Sequence, residues 1–422
     1  MLYVSINKKN EITGIFDRPL GGVKTFKTDK PVNELIGRRI GVMNPSNMKI
    51  AIICNWRTPC GISTYSHFLV DALKTKVKEI KIFSEIEDKA DTTHDQNENV
   101  VRCWRRGESM LPTVDEIIEW NPDFVIIQHE FGIFPKATRF LKMLDALEDI
   151  PHAVVLHSVY GTHMDKTICT SAIKNIIVHS KEGKKALENL GHTSNFIQVV
   201  PHGCLIFDDV KELWNIFQTP YAIIQFGFGF FYKGVDRAIK AIGILKNSDP
   251  KFKDIFYCYL CSESTNSSSV HGEYRDYLED LIKQLGLEDN VAIIRKYHSD
   301  ESINNYLRTA KLALFPYITD PENVVYGASG AVRVAMSNNI PVIASESHMF
   351  DDLEGIVPRP KNEQELAQEI DKIFSNEEYK TSLLFKTKSF VQDNNWGLIA
   401  NKYLNAITRI LENNNFIEIN TK

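Results

Sequence analysis

Strand-length apolar runs recur along this chain, and most are followed by a stretch of helical periodicity. "MKIAIIC", "VKEIKIF", "DFVIIQHE", "HAVVLHS", "KNIIVHS" and "FIQVVPHG" make up a first series, with helical patterns such as "ISTYSHFLVDALKTK" between them. A less regular stretch near residues 204–219 interrupts the alternation. It then restarts with "YAIIQFG", "IFYCYLCS", "NVAIIRKY", "KLALFPY" and "IPVIAS", interleaved with patterns such as "VDRAIKAIGILK" and "SGAVRVAMSN". Such an order implies α/β architecture: two doubly wound, Rossmann-like domains with ligands in a cleft at the carboxyl ends of their parallel strands. The boundaries fall at 1–47 for an N-terminal extension, 48–205, a linker at 206–219, and 220–390. A C-terminal helix and tail, 391–422, is expected to cross back to the first domain. Within the extension, "LYVSI" and "EITGIF" flank "NKKN" as in a small hairpin.

Length and composition agree with this reading. The 422 residues suffice for two or three domains, and 43% hydrophobic with 24% charged residues is ordinary for a globular chain. No apolar run is long enough to span a bilayer as a helix, and the N-terminus lacks the pattern of a secretory signal. The 7 scattered cysteines fit reduced thiols, hence a cytoplasmic location, or the host cytoplasm for a viral protein. The net charge of -5 is unevenly spread, since residues 1–49 hold nine Lys/Arg against four Asp/Glu. That basic extension is either a solvated arm or a foothold for peripheral contact with an anionic surface.

The loop "FGFGFFYKG" looks like a dinucleotide fingerprint, but the third position of G-x-G-x-x-G falls on Tyr232. No G-x-x-x-x-G-K-[ST] occurs, which argues against a P-loop NTPase. "CYLC" has C-x-x-C spacing but lies inside a predicted strand, and "HEFGIF" lacks the second histidine of H-E-x-x-H. There is no D-x-D, so the usual carboxylate handle for a divalent ion beside a sugar nucleotide is missing and no metal site is expected.

Several loops suit a diphosphate instead. Gly61, in "TPCGIS", separates a strand from a helix and would let backbone approach a ligand; a glycine needed only for the turn is the competing reading. Lys233 is placed at a helix start, where a cation opposes the dipole unless an anion is near. "YGASGAVR" offers backbone N–H groups at Ser329, Gly330 and Ala331 as an anion nest, with Arg333 about one turn in; close packing is the alternative. His157 ends the strand "AVVLH" and either faces the cleft or is a satisfied buried histidine.

In this order, "CGISTY", "IIQHEFGIF", "VVLHSVY", "IIVHS", "VVPHG", "FGFGFFYKGVDRAIKAI", "YHSDESINNYLRTAKLALFPY" and "SGAVRVAMSNNIPVIAS" resemble the landmarks of GT-B glycosyltransferases. The resemblance is to the retaining enzymes of glycosyltransferase family four and runs from about Met48 to about Leu411. It implies an acceptor-side first domain and a nucleotide-sugar donor domain in the second. It also implies transfer of a hexosyl or pentosyl group from a UDP- or GDP-linked donor, with retention and without a metal or other cofactor. Lys233 would be the phosphate lysine, with Gly61, Gly229 and the 329–331 nest around the same diphosphate. His157 would stand near the reacting sugar. Two features depart from the family. An aromatic near Phe228 replaces an arginine, and the paired glutamates align with Tyr326 and Val334. Arg333 or Arg295 is expected to supply the missing charge, with Tyr317, Asp320 and Glu322 as sugar or nucleotide contacts.

For the acceptor, His129 and Glu130 are the first-domain candidates, and a glycan or lipid-linked sugar is the default. Modified DNA is a second reading, as for viral enzymes that glycosylate hydroxymethylated bases. There "RCWRR" would meet phosphates through Arg102, Arg105 and Arg106 and stack a base on Trp104. A sugar-nucleotide epimerase or hydrolase, and an inactive nucleotide-sugar-binding module, are readings of other classes.

Overall fold

The computed structural model describes residues 2–6, 12–16, 25–28, 44–169, 173–192, 196–207, 215–262, 268–322 and 324–420. Near the N-terminus, β1 (Leu2–Ile6), β2 (Ile12–Phe16) and β3 (Thr25–Thr28) form a small antiparallel sheet in the order β2-β1-β3, so the expected hairpin is present with one strand more.

The first α/β unit runs through β4 (Lys49–Cys54), α1 (Gly61–Leu73), β5 (Glu79–Glu85), β6 (Val100–Trp104), α2 (Leu111–Trp120) and β7 (Phe124–His129). It continues with α3 (Ala137–Ala146), β8 (His152–Leu156), β9 (Ser158–Val159), α4 (His163–Cys169), β10 (Ile176–Val178), α5 (Lys181–Asn189) and β11 (Ile197–Val199). The sheet order is β11-β10-β8-β7-β4-β5-β6, all parallel. β6 replaces what the sequence presents as a basic stretch.

The second unit comprises β12 (Ala222–Phe228), α6 (Val235–Ser248), β13 (Phe256–Ser262), α7 (Ser268–Gln284), β14 (Val291–Arg295), α8 (Asp300–Thr309) and β15 (Leu312–Phe315). β16 (Tyr326–Gly327), α9 (Gly330–Ser337), β17 (Val342–Ala344), α10 (Glu363–Ser375), α11 (Glu377–Asp393) and α12 (Trp396–Asn420) complete it. Its parallel sheet has the order β14-β13-β12-β15-β17.

The continuous apolar runs are explained by burial on both faces. Ile50, Ile52 and Cys54 of β4 join one cluster with Leu69 and Leu73 of α1, while Ala51 and Ile53 join another with Ile117 of α2 and Phe140 of α3. Fully burying one such side chain stabilises by about 1.5–3 kcal/mol. Helix starts are written locally: Ser180, Ser299 and Asn362 accept from the N–H groups of Gly183, Ser302 and Glu365 at the heads of α5, α8 and α10. As expected, α12 crosses back. Its Trp396, Ile399, Tyr403 and Ile407 lie in the first unit's core, and Tyr403 Oη is 2.8 Å from Tyr65 Oη of α1.

The topology determines where a ligand can sit. Strand order reverses beside β4, between β5 and β7, and again beside β12, between β13 and β15. Loops leaving adjacent strands to opposite sides open a crevice at each of these points. The two units are also joined directly: β9 pairs antiparallel with β16, Tyr326 opposite Val159 and Gly327 opposite Ser158. On the connecting side, Cys204 and Asn395 form a parallel bridge.

Candidate functional site

A cleft of about 420 Å³ lies between the two units, lined from both. Its floor on the second unit is the loop after β12. Gln225, fully buried, donates from Nε2 to the Lys233 carbonyl at 2.9 Å and accepts from Tyr257 Oη at 2.7 Å. Tyr259 Oη donates to the Phe228 carbonyl at 2.8 Å. Strand side chains thus hold the loop backbone, leaving Gly227, Phe228, Tyr232 and Lys233 on the cleft.

Lys233 is not the first residue of the helix, as expected, but the last of a 3-10 turn, Phe231–Lys233; α6 starts after Gly234. Gly234 has φ 65°, and a Cβ there would lie 1.9 Å from the Pro316 carbonyl oxygen, so the turn requires glycine. The Lys233 ammonium donates to Tyr317 Oη at 2.7 Å and stands 4.1 Å from that ring's centroid. Tyr317 is buried, and burial pushes its phenol up to about 12. The lysine's partners are thus neutral ones, with no carboxylate bonded to it among the described residues.

Tyr317 Oη also shares a 3.1 Å hydrogen bond with Ser329 Oγ, which couples Lys233 to the head of α9. Ser329 is the N-cap residue there, but its hydroxyl caps nothing. The expected nest is smaller than three N–H groups, because the Ser329 N–H donates to the Met349 carbonyl at 3.3 Å. Gly330 and Ala331 remain as the open N–H pair at the positive end of the helix, both on the cleft. Arg333 is 1% exposed. Its Nη1 donates to the Ser329 carbonyl at 2.9 Å and its Nη2 pairs with Asp352. It supports the α9 head from behind and adds positive potential, part of it answered by Asp352.

Gly61 faces these groups from the head of α1; a Cβ there would meet nothing within 4 Å, so the position opens on the cleft. His157 lines the cleft and donates from Nε2 to Gln128 Oε1 at 2.8 Å. Burial, then His179 and His202, hold its imidazole well below the ordinary histidine range, so it is neutral. His202 and Trp396 enter the cleft without having been expected there. His202 donates from Nδ1 to the Gly203 carbonyl at 2.8 Å, and its Nε2 would be 3.1 Å from a Cβ on Gly330. The strand-end histidine of "VVPHG" was its signal. Trp396 had none, because it arrives from a helix almost 200 residues further along the chain.

Other expected site residues lie elsewhere. Arg295 ends β14, pairs with Glu279 at 2.5 Å, and shares a separate small pocket with Gly229. Neither lines the cleft: Gly229 sits one residue past β12, with its N–H donating to the Ser262 carbonyl at 3.1 Å. Tyr317 is a buried support, and Asp320 and Glu322 lie off the cleft, with the Glu322 N–H donating to Asp320 Oδ1 at 2.9 Å. His129 is not an acceptor contact; it packs among Phe131, Phe134 and Phe140, and burial alone lowers it to about 3. Glu130, the next residue, does reach the cleft.

"RCWRR" does not present its arginines and tryptophan together on one free face. Arg102 pairs with Asp95 at 2.7 Å and Arg106 with Glu85 at 2.8 Å. Trp104 is buried, stacked on Phe134, with Nε1 donating to the Phe83 carbonyl at 3.1 Å. Arg105 is exposed but lines a small pocket away from the cleft. The cause is β6: its register on β5 shifts between Arg102 and Trp104, so Trp104 turns into the core while Arg102 reaches Asp95. Among the described residues, no group of three His, Cys, Asp or Glu is arranged to hold a metal ion, and no helix is long and apolar enough to cross a membrane.

Residues 207–389 match the family model described as glycosyl transferases group 1. An uncharacterized glycosyltransferase of Methanocaldococcus jannaschii is 25% identical over 147 residues, 33% of this chain. The chain spans only 36% of that relative's length. Among solved structures, a glycosyltransferase from Rickettsia africae is similar with a TM-score of 0.69 at 15% identity, over 87% of this chain and 99% of that one. The HepE protein of Anabaena, in complex with UDP, is similar with a TM-score of 0.64 at 15% identity, over 86% of this chain and all of the other. The architecture of two Rossmann-like halves about a cleft is therefore the GT-B fold.

Proposed function

We propose that this chain is a glycosyltransferase that takes its sugar from a nucleoside-diphosphate sugar, with the donor diphosphate on Lys233 and the head of α9. The observation that carries this reading is the convergence, on one cleft, of an ammonium without a carboxylate partner among the described residues and an open pair of helix-start N–H groups. Breaking a glycosidic bond to a diphosphate builds negative charge on the leaving oxygens. Fixed cations and N–H dipoles, already oriented, stabilise that charge more in the transition state than in the ground state. Arg333 backs the same helix head. A neutral His157 beside the reacting sugar can hydrogen-bond to it without opposing the positive charge of an oxocarbenium-like centre.

A uridine nucleotide is the favoured donor. The match of residues 207–389 supports the transferase class, and structures of Anabaena HepE hold UDP and UDP-glucose. Retention, and catalysis without a metal, follow the family four enzymes that the sequence resembles. Lys233, the α9 head and Arg333 are the groups that would take the place of a cation on the diphosphate.

A thermal-shift screen of UDP, GDP, ADP and their sugar conjugates tests the donor, with EDTA added in a parallel series. A ligand that binds only the folded chain raises its melting temperature. UDP is expected to do so, equally with EDTA. Lys233→Ala is expected to weaken UDP about 10- to 100-fold, the loss of a charge-assisted bond of about 1.5–3 kcal/mol. Melting temperatures that ignore millimolar nucleoside diphosphates would overturn the reading.

A further inference from the structure

His202, just past β11, is aimed from the first unit at the head of α9 in the second. It is 9% exposed and lines the cleft. A Cβ built on Gly330 would lie 3.1 Å from its Nε2 and 3.5 Å from its Cε1, so the glycine lets the ring edge approach this closely. The Nδ1 N–H is committed to the Gly203 carbonyl at 2.8 Å, and Nε2 makes no hydrogen bond among the described residues. In the neutral ring Nε2 is then a bare lone pair. It borders the open N–H pair of Gly330 and Ala331.

The groups packed round this imidazole come from several elements. Tyr65 of α1 stands 4.9 Å away, Trp396 of α12 5.5 Å and His179, just past β10, 6.1 Å, ring centre to ring centre. Burial raises the acids of Tyr65 and of the nearby Cys204, so both are uncharged, and it lowers His179 to about 4. His157 is likewise neutral. The full charge acting on the ring is that of Arg333, itself paired with Asp352. Burial first, then Arg333 and His179, hold His202 well below the ordinary histidine range. The other charged side chains on the cleft are Glu130, Lys233 and Asp300. Burial and Arg333 thus oppose a proton on Nε2 until an anion arrives.

An anion on the α9 head reverses that preference. Ionised phosphate oxygens offer lone pairs only, so they repel a bare Nε2. The other neutral tautomer moves the conflict to Nδ1, which would then face the Gly203 carbonyl oxygen lone pair to lone pair. Only the imidazolium donates to both oxygens at once. We infer that His202 is a proton-coupled phosphate contact: as the donor diphosphate settles on α9, Nε2 takes one proton from solvent and donates a hydrogen bond to a phosphate oxygen. The proton returns to solvent when the nucleotide leaves. The inference rests on the nucleotide-sugar reading and adds a pH-dependent group to its diphosphate site. The same imidazolium faces the charge that grows on the leaving oxygens.

Calorimetric titration of the full chain with UDP near pH 7, in buffers of different ionisation enthalpy, counts the protons bound with the nucleotide. The wild type should take up about half a proton or more beyond the count for His202→Gln. Between about pH 8.5 and pH 6.5, its UDP affinity should gain about tenfold on that of the variant. Gly330→Ala keeps the backbone N–H but drives a Cβ against Nε2. It should also lower the proton count, and it serves as the second variant if His202→Gln folds poorly. In nitrogen NMR of labelled imidazoles, wild-type His202 Nε2 should move from its bare to its protonated position on addition of UDP or of pyrophosphate. Equal proton counts in the wild type and both variants, or an Nε2 that stays bare with either anion bound, overturns the inference. UDP that fails to bind while pyrophosphate protonates His202 would strike the nucleotide reading and leave the inference standing.

Discussion

His129, His157, His179 and His202 are all held neutral by burial, and for His129 and His179 the imidazoles are lowered to about 3 and about 4. An unfolded chain binds protons at these sites below about pH 6.5 while the native one does not. Their stabilising contribution is therefore complete above that pH and is lost progressively as the pH falls toward 4. Urea unfolding at pH 7, 6 and 5 should show stability falling with pH. His129→Leu, which suits the Phe131, Phe134 and Phe140 surroundings, should flatten the dependence by about one proton; an unchanged slope would contradict this. At the same scale, local chemistry decided what could be read in advance. Lys233 and the small residues at 329–331 carry their meaning in a strand–turn–helix context that spans a few residues. The roles of Arg102 and Arg106 depend on Asp95 and Glu85, and whether His129 or its neighbour Glu130 faces the cleft depends on the exit of β7. Neither is visible until the chain has folded.

Between β12 and α6, Gly234 is both left-handed and pressed against the Pro316 backbone. Gly234→Ala should cost more than the ~1–2 kcal/mol of the left-handed conformation alone, because the Cβ also displaces the loop. A fall of several degrees in melting temperature, together with weaker stabilisation by UDP, is expected. Gly272→Ala within α7, where a Cβ meets nothing within 4 Å, is the control and should be neutral or stabilising by about 0.5–1 kcal/mol. Equal effects of the two substitutions would show that the Gly234 turn is not constrained as described. Elements of this kind were legible where a strand is buried on both faces, since β4, β7, β8 and β12 each contain a continuous apolar run, Ile50–Cys54, Phe124–Ile127, Ala153–Leu156 and Ala222–Ile224. β6 was not, because its arginine and its intermediate burial disguise a strand at the sheet edge as a charged segment.

Across the whole molecule, the pairing of β9 with β16 sets His157 beside the segment that leads into α9. Where the resembling family has a glutamate, Tyr326 packs against the first unit's core, and its ring lies 4.8 Å from that of His348. A Cβ on Gly327 would be 2.7 Å from the His157 carbonyl oxygen. Gly327→Val should force this ladder apart, giving a larger radius of gyration in small-angle scattering and at least tenfold slower sugar transfer, with UDP binding on the second unit retained. Unaltered scattering and turnover would show that the ladder does not hold the halves together. Opposite the ladder, the chain passes between the units twice, and the two passages are hydrogen-bonded: the Cys204 N–H donates to the Asn394 carbonyl at 2.8 Å and the Trp396 N–H to the Cys204 carbonyl at 3.2 Å. Two bodies on one flexible tether can twist, slide and tilt independently. Two bodies joined by a doubled strap, with the Trp396 ring wedged on Gly203 at its edge, lose most of those freedoms and keep a swing about one axis. Any opening of the cleft is thereby restricted to one arc, and the two halves return to the same alignment without having to search for it.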